Sequence, residues 1–210
     1  MTTLIVGAHG KIGQRLCQLA VNAGQPIRAL VRNEEQQKHL EALGVETVLG
    51  DLEGSLEHAF KGCDELVFTA GSGPDTGLDK TLMIDLNGAY RCAELAEAFG
   101  FKRVIMVSTR HTDPLDGPEA LKPYLSAKKA ADYRIAQSPV PHVIVRPGKL
   151  TDESGSNHFS QFTDGANNGE VSRDNVAQVV CELMRDPTLF ELEFDLLDGE
   201  QDWSSFKSAL

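Results

Sequence analysis

The chain has 210 residues, 41% hydrophobic and 24% charged, enough apolar material for an ordinary globular core and too little polar bias for disorder. A formal net charge of −11 and a pI near 5.0 leave no basic stripe, so neither nucleic acid nor an anionic membrane is expected as a partner. Met1 leads directly to Leu4-Ile5-Val6-Gly7 without the charged start and apolar stretch of a secretory signal, and no apolar run nears the ~20 residues that span a bilayer. A cytoplasmic location is expected. Cys17, Cys63, Cys92 and Cys181 are scattered without C-x-x-C spacing and read as reduced, buried thiols. The six histidines form no ligand cluster, so no metal is expected.

Along the chain, apolar runs of strand length alternate with segments of helical period, the pattern of successive βα units on a parallel sheet. Strands are predicted at residues 4–6, 27–31, 46–49, 66–69, 104–107, 143–145 and 190–197. After the first comes Gly7-Ala8-His9-Gly10-Lys11-Ile12-Gly13. Following a strand and opening an amphipathic helix (Ile12, Leu16, Leu19, Ala20, closed by Gly24), this G-x-x-G-x-x-G pattern has the context of a dinucleotide phosphate loop. Gly7 would permit the tight turn, Gly10 the approach of pyrophosphate and Gly13 the packing of helix on strand.

The second strand ends at Val31-Arg32-Asn33. NAD needs an acid there for the ribose hydroxyls and NADP a cation for the 2′-phosphate, so Arg32 favours NADP, with NAD still possible. Asn33 is a predicted helix cap, with Gly44 closing that helix. Asp51 and Leu52, then Thr69, Ala70 and Gly71, stand at carboxyl ends of strands, where open sheets bind ligands. Asp51 could accept from the adenine amine or simply close a turn. A long helix is predicted over 79–99, with Leu82, Met83, Leu86, Tyr90 and Ala93 on one side. Ser108 follows the fifth strand, and a helix over about 123–138 carries Tyr124 and Lys128. Pro147 and Gly148, after Arg146, are turn formers whose backbone could line the site. Residues 149–170 have no periodicity and read as a substrate-side loop, after which Ser172 could cap a helix through Arg185.

These residues resemble the atypical short-chain dehydrogenases/reductases, in particular small bacterial NAD(P)-binding proteins of the NmrA-like and biliverdin reductase B-like kind. The resemblance runs over nearly the whole chain, through the glycine loop, Val31-Arg32, Gly50-Asp51, Val107-Ser108-Thr109, Tyr124-Leu125-Ser126-Ala127-Lys128, Val145-Arg146-Pro147-Gly148 and Ser172-Arg173-Asp174-Asn175-Val176-Ala177. It implies a single doubly wound Rossmann-type α/β domain over 1–210, with a mainly parallel sheet. It also puts Ser108, Tyr124 and Lys128 in the places of the family's catalytic serine and Tyr-x-x-x-Lys pair. Residues four apart share a helical face, so Lys128 can sit beneath Tyr124, lower the phenol's pKa from about 10, and bond the nicotinamide ribose. Lys129 points roughly 100° away.

The family's more typical members carry an asparagine where Asp85-Leu86-Asn87-Gly88 places Asp85. The activity implied is hydride transfer from NADPH to a small carbonyl, quinone-like or flavin-like acceptor by a monomer or homodimer. The alternative is a non-enzymatic, NADP-responsive regulator that acts through loops 71–78, 109–121 and 149–170. Only 62 residues follow Gly148, too few for the substrate domain of extended nucleotide-sugar epimerases.

Overall fold

A computed structural model describes residues 1–73, 76–110, 113–115, 117–161 and 169–210. Its elements run β1 (Thr3–Val6), α1 (Lys11–Asn22), β2 (Ile27–Val31), α2 (Glu34–Glu41), β3 (Glu46–Leu49), α3 (Glu57–Phe60), β4 (Glu65–Phe68) and α4 (Leu78–Lys80), which continues through a π-wound stretch, Thr81–Gly88, into α5 (Ala89–Ala98). Then follow β5 (Arg103–Val107), α6 (Lys122–Ala136), β6 (His142–Pro147), β7 (Lys149–Thr151), β8 (Phe159–Ser160), β9 (Glu170–Ser172), α7 (Arg173–Arg185), β10 (Leu192–Asp198) and α8 (Trp203–Lys207).

Eight strands form one sheet in the order β3-β2-β1-β4-β5-β6-β10-β8, parallel except for the β8 edge. This is the doubly wound Rossmann arrangement, and the strand order reverses between β1 and β4. Alternation along each strand builds a core on each face. Ile5, Val67, Ile105 and Val143 point toward α1 and α7, whereas Leu4, Val6, Leu66, Phe68, Met106 and Ile144 point toward α3, α5 and α6. Burial on both faces explains why these strands read as continuous apolar runs. The caps are as the sequence suggested: the Asn33 side chain accepts from Gln36 N–H and that of Ser172 from Asn175 N–H.

Two expectations change. Residues 149–170 are not without regular structure, because β7 and β9 pair in parallel as a second small sheet and β8 adds an antiparallel edge to β10. Strands of two or three residues are too short to leave a period in the sequence. Residues 162–168 of that segment lie outside the described residues.

The second change concerns the helix over 79–99, where Leu82 (55% exposed), Met83 and Tyr90 are exposed while Ala93, expected on the same side, is buried. The wider π winding of Thr81–Gly88 turns Thr81, Asp85 and Gly88 inward, and Ala89, Cys92, Ala93 and Ala96 continue that buried face.

Candidate functional site

The crevice over β1 and β4 begins with the glycine loop. Gly7 has φ +89°, and a Cβ there would lie 2.5 Å from the Ala70 nitrogen, so only glycine lets the loop pass the end of β4. At Gly13 a Cβ would come within 2.2 Å of the Gly7 carbonyl, which is why helix α1 can press on the loop. Gly10 differs: its Cβ would approach only Gly7 O, at 3.1 Å, and otherwise point into open space. Gly10 caps α1 without a side-chain bond, and its N–H closes the turn onto Gly7 O at 2.9 Å. The N–H groups of Lys11, Ile12 and Gly13 find no acceptor among the described residues. Three donors at a positive helix end beside an open glycine face fit a dinucleotide pyrophosphate.

Beside the loop, His9 packs edge-on against His39 with ring centroids 5.5 Å apart. Arg32 is exposed at the end of β2 and its guanidinium makes no ion pair among the described residues. Lys11 Nζ bonds Asp152 at 2.7 Å, and Arg173 joins the same carboxylate at 3.0 Å. Asp51 takes the turn role, since its Oδ1 accepts from Glu53 N–H at 2.9 Å. Leu52 is buried; its side chain would lie 3.1 Å from a Cβ on Gly88, and its carbonyl accepts from Arg91. Thr69 extends the β1–β4 pairing through its N–H to Val6 O at 2.8 Å.

Farther along the carboxyl ends lies a set of buried polar groups. Asp85, 0% exposed, accepts from Ser72 N–H through Oδ2 at 3.0 Å, while its Oδ1 has no partner and faces the space beside Gly71. Lys128 Nζ donates to Val107 O at 3.1 Å. Burial lowers the Lys128 pKa, and the carboxylates of Asp85 and Asp132 pull it back up.

Tyr124 is half-buried one turn earlier. Burial first and the charge of Asp85 second push its phenol up to about 12, against a bond from Thr109. The expected lowering by Lys128 is not found: desolvation and the anions of Asp85 and Asp132 set the direction, and only the Thr109 bond opposes them.

Ser108 is buried beside Asp132 and helps lower the carboxyl's pKa, which burial raises; yet neither Ser108 Oγ nor Asp132 Oδ1 has a hydrogen-bond partner of good geometry. Asp132 Oδ2 accepts from Arg146 Nε at 3.0 Å, and Arg146 Nη2 donates to Glu193 at 2.7 Å. Pro147 ends β6 and Gly148 follows it. Pro147 O accepts from Arg110 N–H at 2.9 Å, Gly148 N–H donates to Leu196 O at 3.0 Å, and a Cβ on Gly148 would strike Gly169 O and Leu197. These backbone groups serve the fold, and the glycine is needed for packing.

A family model for NAD(P)H-binding proteins matches residues 7–187. The chain belongs to this NAD(P)H-binding family. It is 45% identical over 205 residues, 95% of each chain, to a Bacillus subtilis (strain 168) protein named as the uncharacterized sugar epimerase YhfK. A Bacillus halodurans structure described as an NAD-dependent epimerase/dehydratase is 38% identical over 100% of both chains, with a TM-score of 0.95. ChuY, an anaerobillin reductase from Escherichia coli O157:H7, shares the fold at a TM-score of 0.79 and 23% identity, covering 96% of this chain and 99% of its own.

In this NAD(P)H-binding protein the structure brings Ser108, Tyr124 and Lys128 to one end of the sheet, with Asp85 alongside. Sequence reasoning overlooked Asp132. The available signal was an acid four residues beyond Lys128, on the face already carrying Tyr124.

Proposed function

We propose that this protein is an NADPH-dependent reductase of small carbonyl, quinone-like or flavin-like acceptors, with Ser108, Tyr124 and Lys128 as its catalytic residues. The observation that carries the reading is their convergence: Tyr124 and Lys128 share one face of α6, with the Lys128 ammonium bonded to the carbonyl of the residue before Ser108. The loop from Gly7 through His9, Gly10, Lys11 and Ile12 to Gly13 holds the pyrophosphate, and Thr69, Ala70 and Gly71 line the crevice. Asp51 keeps Oδ2 for the adenine side. Arg32, exposed and without an ion pair, supports NADP over NAD.

When bound, the cofactor supplies the hydride. Tyr124, with its phenol at about 12, keeps its proton at neutral pH and holds it for the acceptor oxygen. Lys128 has two N–H groups beyond the bond to Val107 O, one for the ribose and one for the tyrosine side. Ser108 orients the acceptor. We take residues 1–210 as one domain, with 149–170 on its substrate side, acting in the cytoplasm as a monomer or homodimer. An epimerase reading, prompted by the names of two relatives, has less support, since the described residues after Gly148 form only short strands and two helices, with β8 and β10 part of the main sheet.

A second reading, an NADP-responsive regulator, draws on Asp85 standing where typical enzymes carry asparagine and on the raised phenol of Tyr124. The loops through which it would act lie partly outside the described residues. Purified protein should oxidise NADPH when offered a panel of quinones, flavins and aldehydes. Tight NADPH binding with no oxidation across the panel would favour the regulator.

A further inference from the structure

We propose that Asp132 is a positioning residue of this site: anchored by Arg146, its carboxylate holds the Ser108 hydroxyl and the Lys128 ammonium in their working places. The kinetic part of this inference rests on the reductase reading above. Its electrostatic part does not.

Asp132 lies one turn beyond Lys128 on the inner face of α6 and is 4% exposed. A carboxylate so buried needs partners, and Arg146 supplies one through Nε at 3.0 Å while Glu193 fixes the guanidinium from the other side at 2.7 Å. One oxygen is thereby fastened. The other, Oδ1, is buried and unpartnered among the described residues, as is the Oγ of Ser108, which stands beside the carboxyl group. A serine hydroxyl turned toward the carboxylate would close that bond and set its single proton between Asp132 and whatever oxygen enters from the crevice. Two unsatisfied oxygens side by side would be a poor device for stability alone.

The charged and titratable groups around the Lys128 ammonium come from several elements. Asp85 faces it from the π-wound segment, the Val107 carbonyl from β5, and Asp132 and Tyr124 from its own helix, with Arg146 of β6 behind Asp132. Of the two carboxylates that favour the charged form of Lys128 against its burial, Asp132 is the one pinned by a cation.

The test uses the full chain carrying Asp132→Asn, which preserves shape and removes the charge. We expect NADPH affinity to stay within about threefold and turnover to fall by up to about 100-fold. The alkaline limb of the pH profile should move down by about one unit, because an ammonium that loses an anionic neighbour gives up its proton more readily. An Asp132 that only braced the fold would leave that limb where it was, and an unchanged limb overturns the proposal.

Titration of the Lys128 ammonium by nitrogen NMR, with no acceptor present, reads the same shift without turnover. If the parental protein reduces nothing, the reductase reading fails while this titration still decides the role of Asp132. Should Asp132→Asn not fold, Arg146→Lys tests the anchor: lower turnover at an unmoved limb supports it, and parental turnover overturns it.

Discussion

The two ends of the sheet treat buried charge in opposite ways. At the amino end, Glu65 at the start of β4 is completely buried, yet both its oxygens are used, Oε1 by the Thr3 hydroxyl at 2.8 Å and Oε2 by Arg103 Nε at 2.6 Å. Arg103 spends its remaining donors on the carbonyls of Leu183, Asp186 and Leu189, tying β5 to the end of α7. Among the described residues, His142 Nδ1 there is buried without a hydrogen bond, 3.6 Å from Glu191.

At the carboxyl end, Asp85 Oδ1, Ser108 Oγ and Asp132 Oδ1 are all buried without partners, around a lysine holding one hydrogen bond. Each orphan costs about 1–3 kcal/mol, a cost a ligand with matching donors and acceptors would offset. Buried charge at the amino end is closed by protein partners, and among the described residues that at the carboxyl end is left partly open.

The largest expected effect comes at the open end. Tyr124→Phe removes only a hydroxyl, so NADPH affinity should barely change while carbonyl reduction, followed by NADPH consumption, falls by about two to four orders of magnitude. Parental rates in that variant would shift the chemistry to Ser108 and to simple positioning of the cofactor.

At the closed end, Arg103→Ala strands the Glu65 carboxylate and three carbonyls. It should destabilise by about 3–5 kcal/mol in denaturant unfolding while the folded fraction still binds NADPH normally. A loss under 1 kcal/mol would show that water relieves the site and that the two ends are less unlike than they look.

Next comes Gly10→Val, whose side chain would fill the open face of the loop. The fold should survive, because the new Cβ meets little beyond Gly7 O, but calorimetric binding of both NADPH and NADH should weaken at least 100-fold. Undiminished binding would move the pyrophosphate elsewhere. The smallest effect is Arg32→Ala, which should narrow the preference for NADPH over NADH by about tenfold at low salt. Equal affinities of the parental protein for the two cofactors would remove the basis for an NADP preference.

Much of this protein is legible locally. The parallel strands, the glycine loop, the caps at Asn33 and Ser172 and the shared face of Tyr124 and Lys128 all follow from spacing within one or two turns, where periodicity and hydrogen-bond geometry act. What the sequence by itself determined is therefore the doubly wound frame and a nucleotide cradle at its first turn.

The tertiary structure alone decided the rest. The π winding that carries Asp85 inward and the pairing of β7 with β9 depend on neighbours remote in the chain. The meeting of Ser108 with Asp132 and Arg146 depends on three elements, β5, α6 and β6, coming together at one end of the sheet. The direction of the Tyr124 shift depended on the same thing, because desolvation and charge act through space, and only the packed chain says how much water has gone and which anion stands nearest.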